Sequence, residues 1–235
     1  MNEPSTVQLV AITGGSGSGK TWLADRLQLL LGRRAARLSQ DSFYRDQSHL
    51  PRAARALLNF DQPEAIDWDH FADVLRNLRR SRACRLPVYD FNTHSRLAAG
   101  VPLPPRPIVI VDGLWLLHHA EIRRQFDLTV FLHCPESERL RRRIARDTRE
   151  RGRTEAEVQA QFQATVAPMH TQYVSPQAAH ADLLLHHPTR EFEVLQLQER
   201  LSRLVPLGSG VFDRLASLFR PEPHFPARTA GVLIA

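Results

Sequence analysis

An eight-residue segment near the N-terminus has the glycine spacing and the terminal Lys-Thr pair of a phosphate-binding loop (P-loop). Glycines let the backbone curl so that successive N–H groups point at a phosphate, and a helix that follows adds the positive end of its dipole. In such a loop Lys20 bridges the β- and γ-phosphates of ATP or GTP, and the Thr21 hydroxyl binds Mg²⁺. We therefore expect a nucleotide to bind at Gly14, Gly15, Ser16, Gly17, Ser18, Gly19, Lys20 and Thr21.

Lys20 is also exceptional among the basic residues. The chain has 31 lysine and arginine residues, and Lys20 is the one lysine among them. A compact, flexible ammonium group reaches between phosphate oxygens in a way that a planar guanidinium cannot copy. The lysine therefore indicates a catalytic role at this position.

Two aspartates follow apolar segments that are typical of buried strands. Asp112 ends the β-branched run 108–111 and is the expected acidic ligand of Mg²⁺, directly or through a water, although it could instead cap the next helix. Asp41 follows a second apolar segment, 35–38, and sheets of this type bind ligands at the carboxyl ends of their strands. A carboxylate there can accept the proton of an attacking hydroxyl. The alternative for Asp41 is a local Asx turn.

Eight arginines lie between residues 139 and 153. A solvated helix with ion pairs to Asp147 and Glu150 would account for about half of them. A nucleic-acid-binding stripe is a second interpretation, but the segment lacks interleaved aromatic residues and contains acids. The interpretation that the P-loop favours is a mobile lid at about 139–155 that brings arginines such as Arg146 onto the transferred phosphate and excludes water.

The rest of the pattern predicts strands alternating with helices. Predicted strands lie at 7–13, 35–38, 108–113, 127–132 and 182–185, and predicted helices at 21–31, 67–80, 114–125, 136–150, 154–173 and 190–204. This alternation predicts an α/β fold with a doubly wound parallel sheet. Residues 1–205 form the predicted domain. Residues 206–235, punctuated by glycine and proline and with a short amphipathic segment at 212–219, form a predicted tail without assigned chemistry.

Composition limits the other classes of function. No secretory signal is recognisable, no apolar run approaches the roughly 18–20 residues that span a bilayer, and Cys84 and Cys134 have no paired spacing. We therefore expect a cytoplasmic protein with no membrane partner. The net charge of +6 would suit nucleic acid or acidic small substrates, and the mixed charge pattern favours small substrates over nucleic acid.

Further segments occur in an order that resembles the uridine/cytidine kinase family, P-loop nucleoside kinases related to phosphoribulokinase. The resemblance covers residues 7 to about 185 and implies a P-loop kinase fold with a helical lid. It also implies Mg²⁺-dependent transfer of the γ-phosphoryl group of ATP to the 5′-hydroxyl of uridine or cytidine, giving UMP or CMP. The matching segments are SQDSFY at 39–44, NFDQPEA at 59–65, PVYDFNTHSR at 87–96, RRIARD at 142–147, ERGR at 150–153, and the single residues Gln161 and Pro168.

The resemblance implies roles for individual residues. Asp41 matches the base that faces the 5′-hydroxyl, and Asp61 and Arg143 match the groups that hold the ribose. Matches to the residues that contact the pyrimidine are Tyr89, Phe91 and His94. Three arginines match arginines of the lid or the substrate side, namely Arg146, Arg151 and Arg153. Gln161 matches a further substrate contact. Thr21 and Asp112 match the magnesium positions.

The sequence departs from this family at several positions. Gln62 stands where the family usually has His, beside the ribose-binding Asp61, and Asp112 stands where it usually has Glu. The shorter carboxylate is expected to place a water between itself and the metal. Residues 186–190 replace the family's glycine-rich stretch, so the contacts to the donor base are unassigned. Family resemblance alone suggests a homotetramer.

Three alternatives compete with a pyrimidine nucleoside kinase. A related kinase of the phosphoribulokinase or pantothenate kinase type would act on an acceptor without a base, and the segment 87–96 favours an acceptor with one. A non-catalytic nucleotide-binding regulatory protein would have a degraded acceptor carboxylate or lid. Here Asp41 and the arginine cluster of the lid are both intact, which argues against this alternative. A nucleic-acid binder would show affinity that falls steeply with salt.

Overall fold

The computed structural model describes residues 7–55 and 58–205. The strands are β1 (Gln8–Gly14), β2 (Ala35–Ser39), β3 (Cys84–Leu86), β4 (Tyr89–Asp90), β5 (Ser95–Arg96), β6 (Val101–Leu103), β7 (Ile108–Gly113), β8 (Leu128–His133) and β9 (Leu183–His186). The α-helices are α1 (Lys20–Leu31), α2 (Arg52–Arg55), α3 (Trp68–Arg79), α4 (Ala120–Arg123), α5 (Glu136–Arg151), α6 (Glu155–Gln161), α7 (Ala167–Met169) and α8 (Glu191–Leu204).

Five strands form a parallel sheet in the order β2-β7-β1-β8-β9. In this register Asp112 of β7 lies beside Ser39 of β2 on one side and Ile12 of β1 on the other. The carboxyl ends of these three strands therefore bring together the P-loop, Asp112 and the segment that contains Asp41, as the rule for parallel sheets predicts.

Apolar residues of the strands pack on both faces of the sheet. Leu9 belongs to a core shared with Phe71 of α3, whereas its neighbour Val10 belongs to a core shared with Leu27 of α1 and Leu197 of α8. Successive residues of a strand point to opposite faces, so a strand covered on both sides has to be apolar throughout. The two cores confirm the predicted doubly wound α/β sheet.

The helix predicted at 114–125 is wrong over most of its length, because only Ala120–Arg123 is helical. The N–H of Trp115 donates to Gln40 Oε1 at 3.0 Å, and the N–H of Leu117 donates to Gln177 Oε1 at 2.8 Å. The two glutamine side chains thus accept hydrogen bonds from backbone N–H groups of a buried segment. Periodicity alone assigns this segment to a helix. The segment instead packs Trp115, Leu116 and Leu117 under the sheet as a turn.

The helix predicted at 154–173 is present but irregular. Beyond α6 it widens into π-helical turns at Phe162–Val166 and His170–Val174, on either side of the short α7 that contains Pro168. Proline has no N–H to donate to the carbonyl four residues earlier, and its ring crowds that carbonyl. Wider turns around Pro168 accommodate both effects.

Two small antiparallel ladders, in a part of the chain where the sequence analysis placed no strand, form sheets separate from the main one. β3 pairs with β6, and within that hairpin β4 pairs with β5. The inner turn contains His94 in the left-handed backbone region with a φ of 50°. These ladders carry the segment that contains Tyr89, Phe91 and His94.

The predicted tail at 206–235, with its amphipathic segment at 212–219, lies outside the described residues. Within the described ranges, none of the helices combines the length and the apolar character required to cross a membrane.

Candidate active site

The P-loop connects the end of β1 to the start of α1 and curls back on itself. The N–H of Ser18 donates to the carbonyl of Gly15 at 3.0 Å, and Gly17 and Gly19 have φ values of 79° and 97°. A Cβ at Gly17 would overlap the backbone carbonyl of Arg139 on α5. Both the left-handed backbone and this close approach require glycine.

Lys20 begins α1 and points back over the loop. Its side chain is buried, and Nζ donates to the carbonyl of Gly15 at 3.4 Å. Burial lowers the pKa of Lys20, while the carboxylates of Asp41 and Asp112 oppose that shift. The ammonium therefore lies between the P-loop backbone and the two aspartates that follow β2 and β7.

Thr21 and Asp112 form an oxygen pair suited to magnesium. Thr21 Oγ1 donates to Asp112 Oδ2 at 2.9 Å, and the other carboxylate oxygen, Oδ1, accepts a hydrogen bond from Arg37 Nε at 3.0 Å. Mg²⁺ binds through one or two protein oxygens and keeps several waters and phosphate oxygens, so this pair fits it. Among the described residues, no group of three or more His, Cys, Asp or Glu side chains is arranged to hold a metal ion.

Arg37 is a contact to Asp112 that the sequence analysis missed. It lies in the interior of β2, and its Nη1 also pairs with Asp25 at 2.7 Å. Both the Arg37 and the Asp112 side chains are mostly buried. The two oxygens of Asp112 are thus held by Thr21 on one side and by a guanidinium on the other, rather than pointing into open space.

Asp41 lies in a 3₁₀ turn (Gln40–Phe43) directly after β2. The backbone N–H of Asp41 donates to Ser39 Oγ at 3.3 Å, so Ser39 supplies the side-chain acceptor of this turn. Within residues 7–55 and 58–205, the buried Oδ1 atom of Asp41 has no hydrogen-bond partner. Burial raises the pKa of Asp41, Asp112 adds to the shift, and Lys20 opposes it. These features suit a proton acceptor better than the Asx turn considered from sequence.

Two cavities meet at this point. The first, which we name the P-loop cavity, has a volume of about 480 Å³, and the second, the aromatic cavity, has a volume of about 490 Å³. Both are lined by Lys20, Thr21, Arg143 and Arg146. All substrate-binding residues predicted from the sequence line the aromatic cavity, namely Asp41, Asp61, Tyr89, Phe91, His94, Arg143, Arg153 and Gln161.

Aromatic rings form one end of the aromatic cavity. His94 stacks on Phe60 with ring centroids 4.7 Å apart and planes inclined by 9°. Tyr89 packs between Tyr44 at 5.1 Å and Phe91 at 5.3 Å, and its buried hydroxyl has no hydrogen-bond partner in the part of the chain that the structure describes. The resemblance identified Tyr89, Phe91 and His94 but missed Tyr44 and Phe60, although both lie inside the matching segments 39–44 and 59–65.

The opposite wall contains Asp61 and groups from the lid. Arg143 Nη1 lies 3.5 Å from Asp61 Oδ1 and 3.2 Å from Ser16 Oγ, and its Nη2 donates to Gln161 Oε1 at 3.1 Å. Thr165 Oγ1 donates to Asp61 Oδ2 at 3.2 Å. Arg143 therefore connects the P-loop, Asp61 and the helix that contains Gln161.

The arginines of the lid surround one fully buried carboxylate. Asp147 lies 2.8 Å from Arg146, and 3.5–3.7 Å from the other arginines of the cluster. The attraction of these arginines, Arg146 first, lowers the pKa of Asp147 against the opposing effect of burial. Besides Arg146, the cluster around Asp147 consists of Arg143, Arg151 and Arg153. One interpretation in the sequence analysis made Asp147 an ion-pair partner on a solvated helix, and the structure places this fully buried carboxylate at the centre of the cluster.

The site has a phosphate-binding loop on one side of Lys20 and a separate cavity for a second molecule on the other. This is the arrangement of a P-loop kinase. Comparison with known proteins agrees. The chain belongs to the phosphoribulokinase/uridine kinase family, whose model matches residues 9–191.

Individual relatives are similar over most of the chain. It is 39% identical over 180 residues to a uridine kinase of Leuconostoc citreum, and 36% identical over 178 residues to one of Staphylococcus epidermidis. Each match covers 75% of this chain and 86% of the relative. Phosphoribulokinase from Rhodobacter spheroides has a similar fold, with a TM-score of 0.58 at 18% identity over 78% of this chain and 71% of that one.

Proposed function

We propose that this protein transfers the γ-phosphoryl group of ATP or GTP to the 5′-hydroxyl of uridine or cytidine, giving UMP or CMP. The observation that carries the proposal is that Asp41, Lys20 and a set of aromatic rings line one cavity, next to the P-loop. A pyrimidine nucleoside has one flat base, two vicinal hydroxyls and one primary hydroxyl, and the cavity offers a matching group for each.

The aromatic end suits the base. Phe60, His94 and Tyr89 offer flat faces and edges at the spacing of aromatic contacts, and the Tyr89 hydroxyl can hydrogen-bond to a polar edge of the base. Asp61 and Arg143, as an acceptor and a donor 3.5 Å apart, suit the vicinal hydroxyls of ribose. The 5′-hydroxyl would then face Asp41 at the end that borders the P-loop.

Residues at the junction of the two cavities supply the chemistry. Asp41 would accept the proton of the attacking hydroxyl, and Lys20 with Arg146 would stabilise charge on the transferred phosphoryl group. Mg²⁺ held by Thr21 and Asp112 would neutralise charge on the β- and γ-phosphates. The lid arginines would close over the junction and exclude water, which is a competing nucleophile.

The test is the rate at which ADP forms from ATP in the presence of each acceptor of a panel: uridine, cytidine, purine nucleosides, ribulose 5-phosphate and pantothenate. We expect a pyrimidine nucleoside to stimulate ADP formation. Asp41→Asn should lose that stimulation and still bind the nucleotide. Asp69→Asn, an exposed aspartate on α3, is the matched control and should keep full activity. Stimulation by ribulose 5-phosphate or pantothenate alone would favour the related kinases instead. No stimulation by any acceptor would favour a regulatory nucleotide-binding protein.

A further inference from the structure

The P-loop cavity extends past the residues that it shares with the aromatic cavity. Beyond the phosphate-binding glycines, its lining consists of Trp22, Arg142 and the segment 187–189 that follows β9. A nucleotide whose γ-phosphate lies at the shared end has its base at this other end, because the triphosphate and the ribose separate the two. The proposed function gives these residues no role.

Trp22 presents an aromatic surface at that end. Half of its surface is exposed, whereas Trp68 packs against the core and Trp115 is fully buried. Helix α1 anchors itself through Leu23 and Leu27, so packing of the helix does not require an indole at position 22. An exposed indole beside a phosphate-binding loop is a stacking platform for a nucleotide base.

Arg142 is held in place at the same end. Its Nε donates to Glu138 at 2.6 Å, its Nη1 lies 3.4 Å from the carbonyl of Ser18, and its Nη2 lies 3.1 Å from His187 Nδ1. These contacts use N–H groups in the plane of the guanidinium. What the group offers a ligand is mainly its flat face, which stacks on aromatic rings.

Few groups at this end can read the edge of a base. Pro188 has no N–H, and none of the described residues that line the cavity is an Asp or a Glu. The Thr189 hydroxyl can donate or accept, so it accommodates either the amino group of adenine or the keto group of guanine. Recognition by stacking depends on the area of the ring system rather than on its hydrogen-bonding pattern.

We propose that Trp22 and Arg142 hold the base of the donor nucleotide by stacking, so that this protein selects purine over pyrimidine donors by ring area and distinguishes adenine from guanine weakly. This inference rests on the proposed function in one respect: the P-loop cavity receives the donor. The specificity-determining residue is Trp22.

The test is the dissociation constant, measured by calorimetry in the presence of Mg²⁺ and without any acceptor, for ADP, GDP, CDP and inorganic tripolyphosphate. For the wild type we expect ADP and GDP to bind within about threefold of each other and CDP to bind roughly tenfold more weakly. Trp22→Leu should weaken ADP and GDP roughly tenfold and leave tripolyphosphate unchanged, whereas Trp22→Phe should keep most of the affinity. Leu29→Ala, at a residue of α1 that is 72% exposed, is the matched control and should bind all four probes like the wild type.

Two results would overturn the inference. One is unchanged ADP binding by Trp22→Leu. The other is an equal loss of ADP and tripolyphosphate binding, because a residue that acts on the phosphates or on the fold of the loop would weaken both. Since the probes contain no acceptor, the outcome does not depend on which hydroxyl is phosphorylated. Failure of the acceptor panel would therefore leave this inference standing, and failure here would leave the acceptor assignment standing.

Discussion

Arg37 and Asp112 occupy neighbouring strands of the sheet, and Arg37 Nε donates to Asp112 Oδ1 at 3.0 Å. Asp112 is the candidate magnesium ligand, and the Arg37 guanidinium lies beside it as a countercharge. In the sequence analysis, Asp112 departs from the Glu usual in the family that the chain resembles, and a water is expected between this shorter carboxylate and the metal. The structure pairs this carboxylate with an arginine from the adjacent strand.

Replacing Arg37 with Leu should make stability more dependent on magnesium. Without metal the variant leaves Asp112 buried without its hydrogen-bonded guanidinium, and we expect a loss of about 3 kcal/mol in the free energy of unfolding. Added Mg²⁺ with ADP should then raise the melting temperature more in the variant than in the wild type. Arg26→Leu breaks the exposed pair with Glu191 and is the control, with an expected loss of roughly 1 kcal/mol or less. Equal Mg²⁺ shifts in variant and wild type would contradict the role assigned to Arg37.

Asp41→Asn should lower turnover and raise stability at the same time. Turnover should fall by roughly 10²- to 10⁴-fold because the proton acceptor is lost. The pKa of Asp41 is raised by burial, so the folded state binds the proton more tightly than the unfolded state. Its contribution to stability is therefore present at low pH and is lost as pH rises through the folded pKa.

The stability difference between Asp41→Asn and the wild type is thus pH-dependent. The variant should unfold at higher urea concentration than the wild type at about pH 8, and the difference should shrink towards about pH 4, where an ordinary carboxyl is half protonated. A difference of the same size at both pH values would show that the aspartate charge is not the cause.

The sequence predicted the central strands and the P-loop because both are local patterns. A β-branched run such as 108–111 and the spacing of the glycines are readable without tertiary contacts. The turn at 114–119 was not predicted, because the side chains of Gln40 and Gln177 that hold its backbone come from distant parts of the chain. Arg37 did leave a signal, since a charged residue inside a predicted buried strand needs a partner, but the partner is visible only once β2 and β7 are adjacent.

Tyr89→Phe should separate binding from stability. None of the described residues hydrogen-bonds to the buried Tyr89 hydroxyl, and removing an unpaired buried polar group costs the free protein nothing. We therefore expect an unchanged or higher melting temperature, together with a KM for the pyrimidine nucleoside raised by roughly tenfold through loss of one hydrogen bond. The KM for the donor nucleotide should not change. A variant with a lower melting temperature and an unchanged acceptor KM would place the hydroxyl in the architecture of the fold rather than in recognition of the base.

Asp147→Asn tests whether one buried carboxylate holds the lid arginines together. Asparagine keeps the shape and removes the charge, so Arg143, Arg146 and Arg151 would repel one another around a neutral centre. We expect a loss of about 3 kcal/mol in the free energy of unfolding and a lower kcat, because the arginines would no longer be positioned at the junction of the cavities. Asp73→Asn, which removes the charge from an exposed pair with Arg76, is the matched control and should cost roughly 1 kcal/mol or less.

Salt distinguishes this electrostatic account of Asp147 from a loss of packing. Repulsion between partly exposed arginines is screened as ionic strength rises, whereas a packing defect is not. Urea unfolding of Asp147→Asn at low and high sodium chloride should therefore show partial recovery of stability relative to the wild type at high salt. The side chains of Arg146, Arg151 and Arg153 are 24–34% exposed, which leaves them accessible to such screening. A deficit that does not change with salt would mean that Asp147 supports the lid through shape, and that the arginines do not depend on its charge.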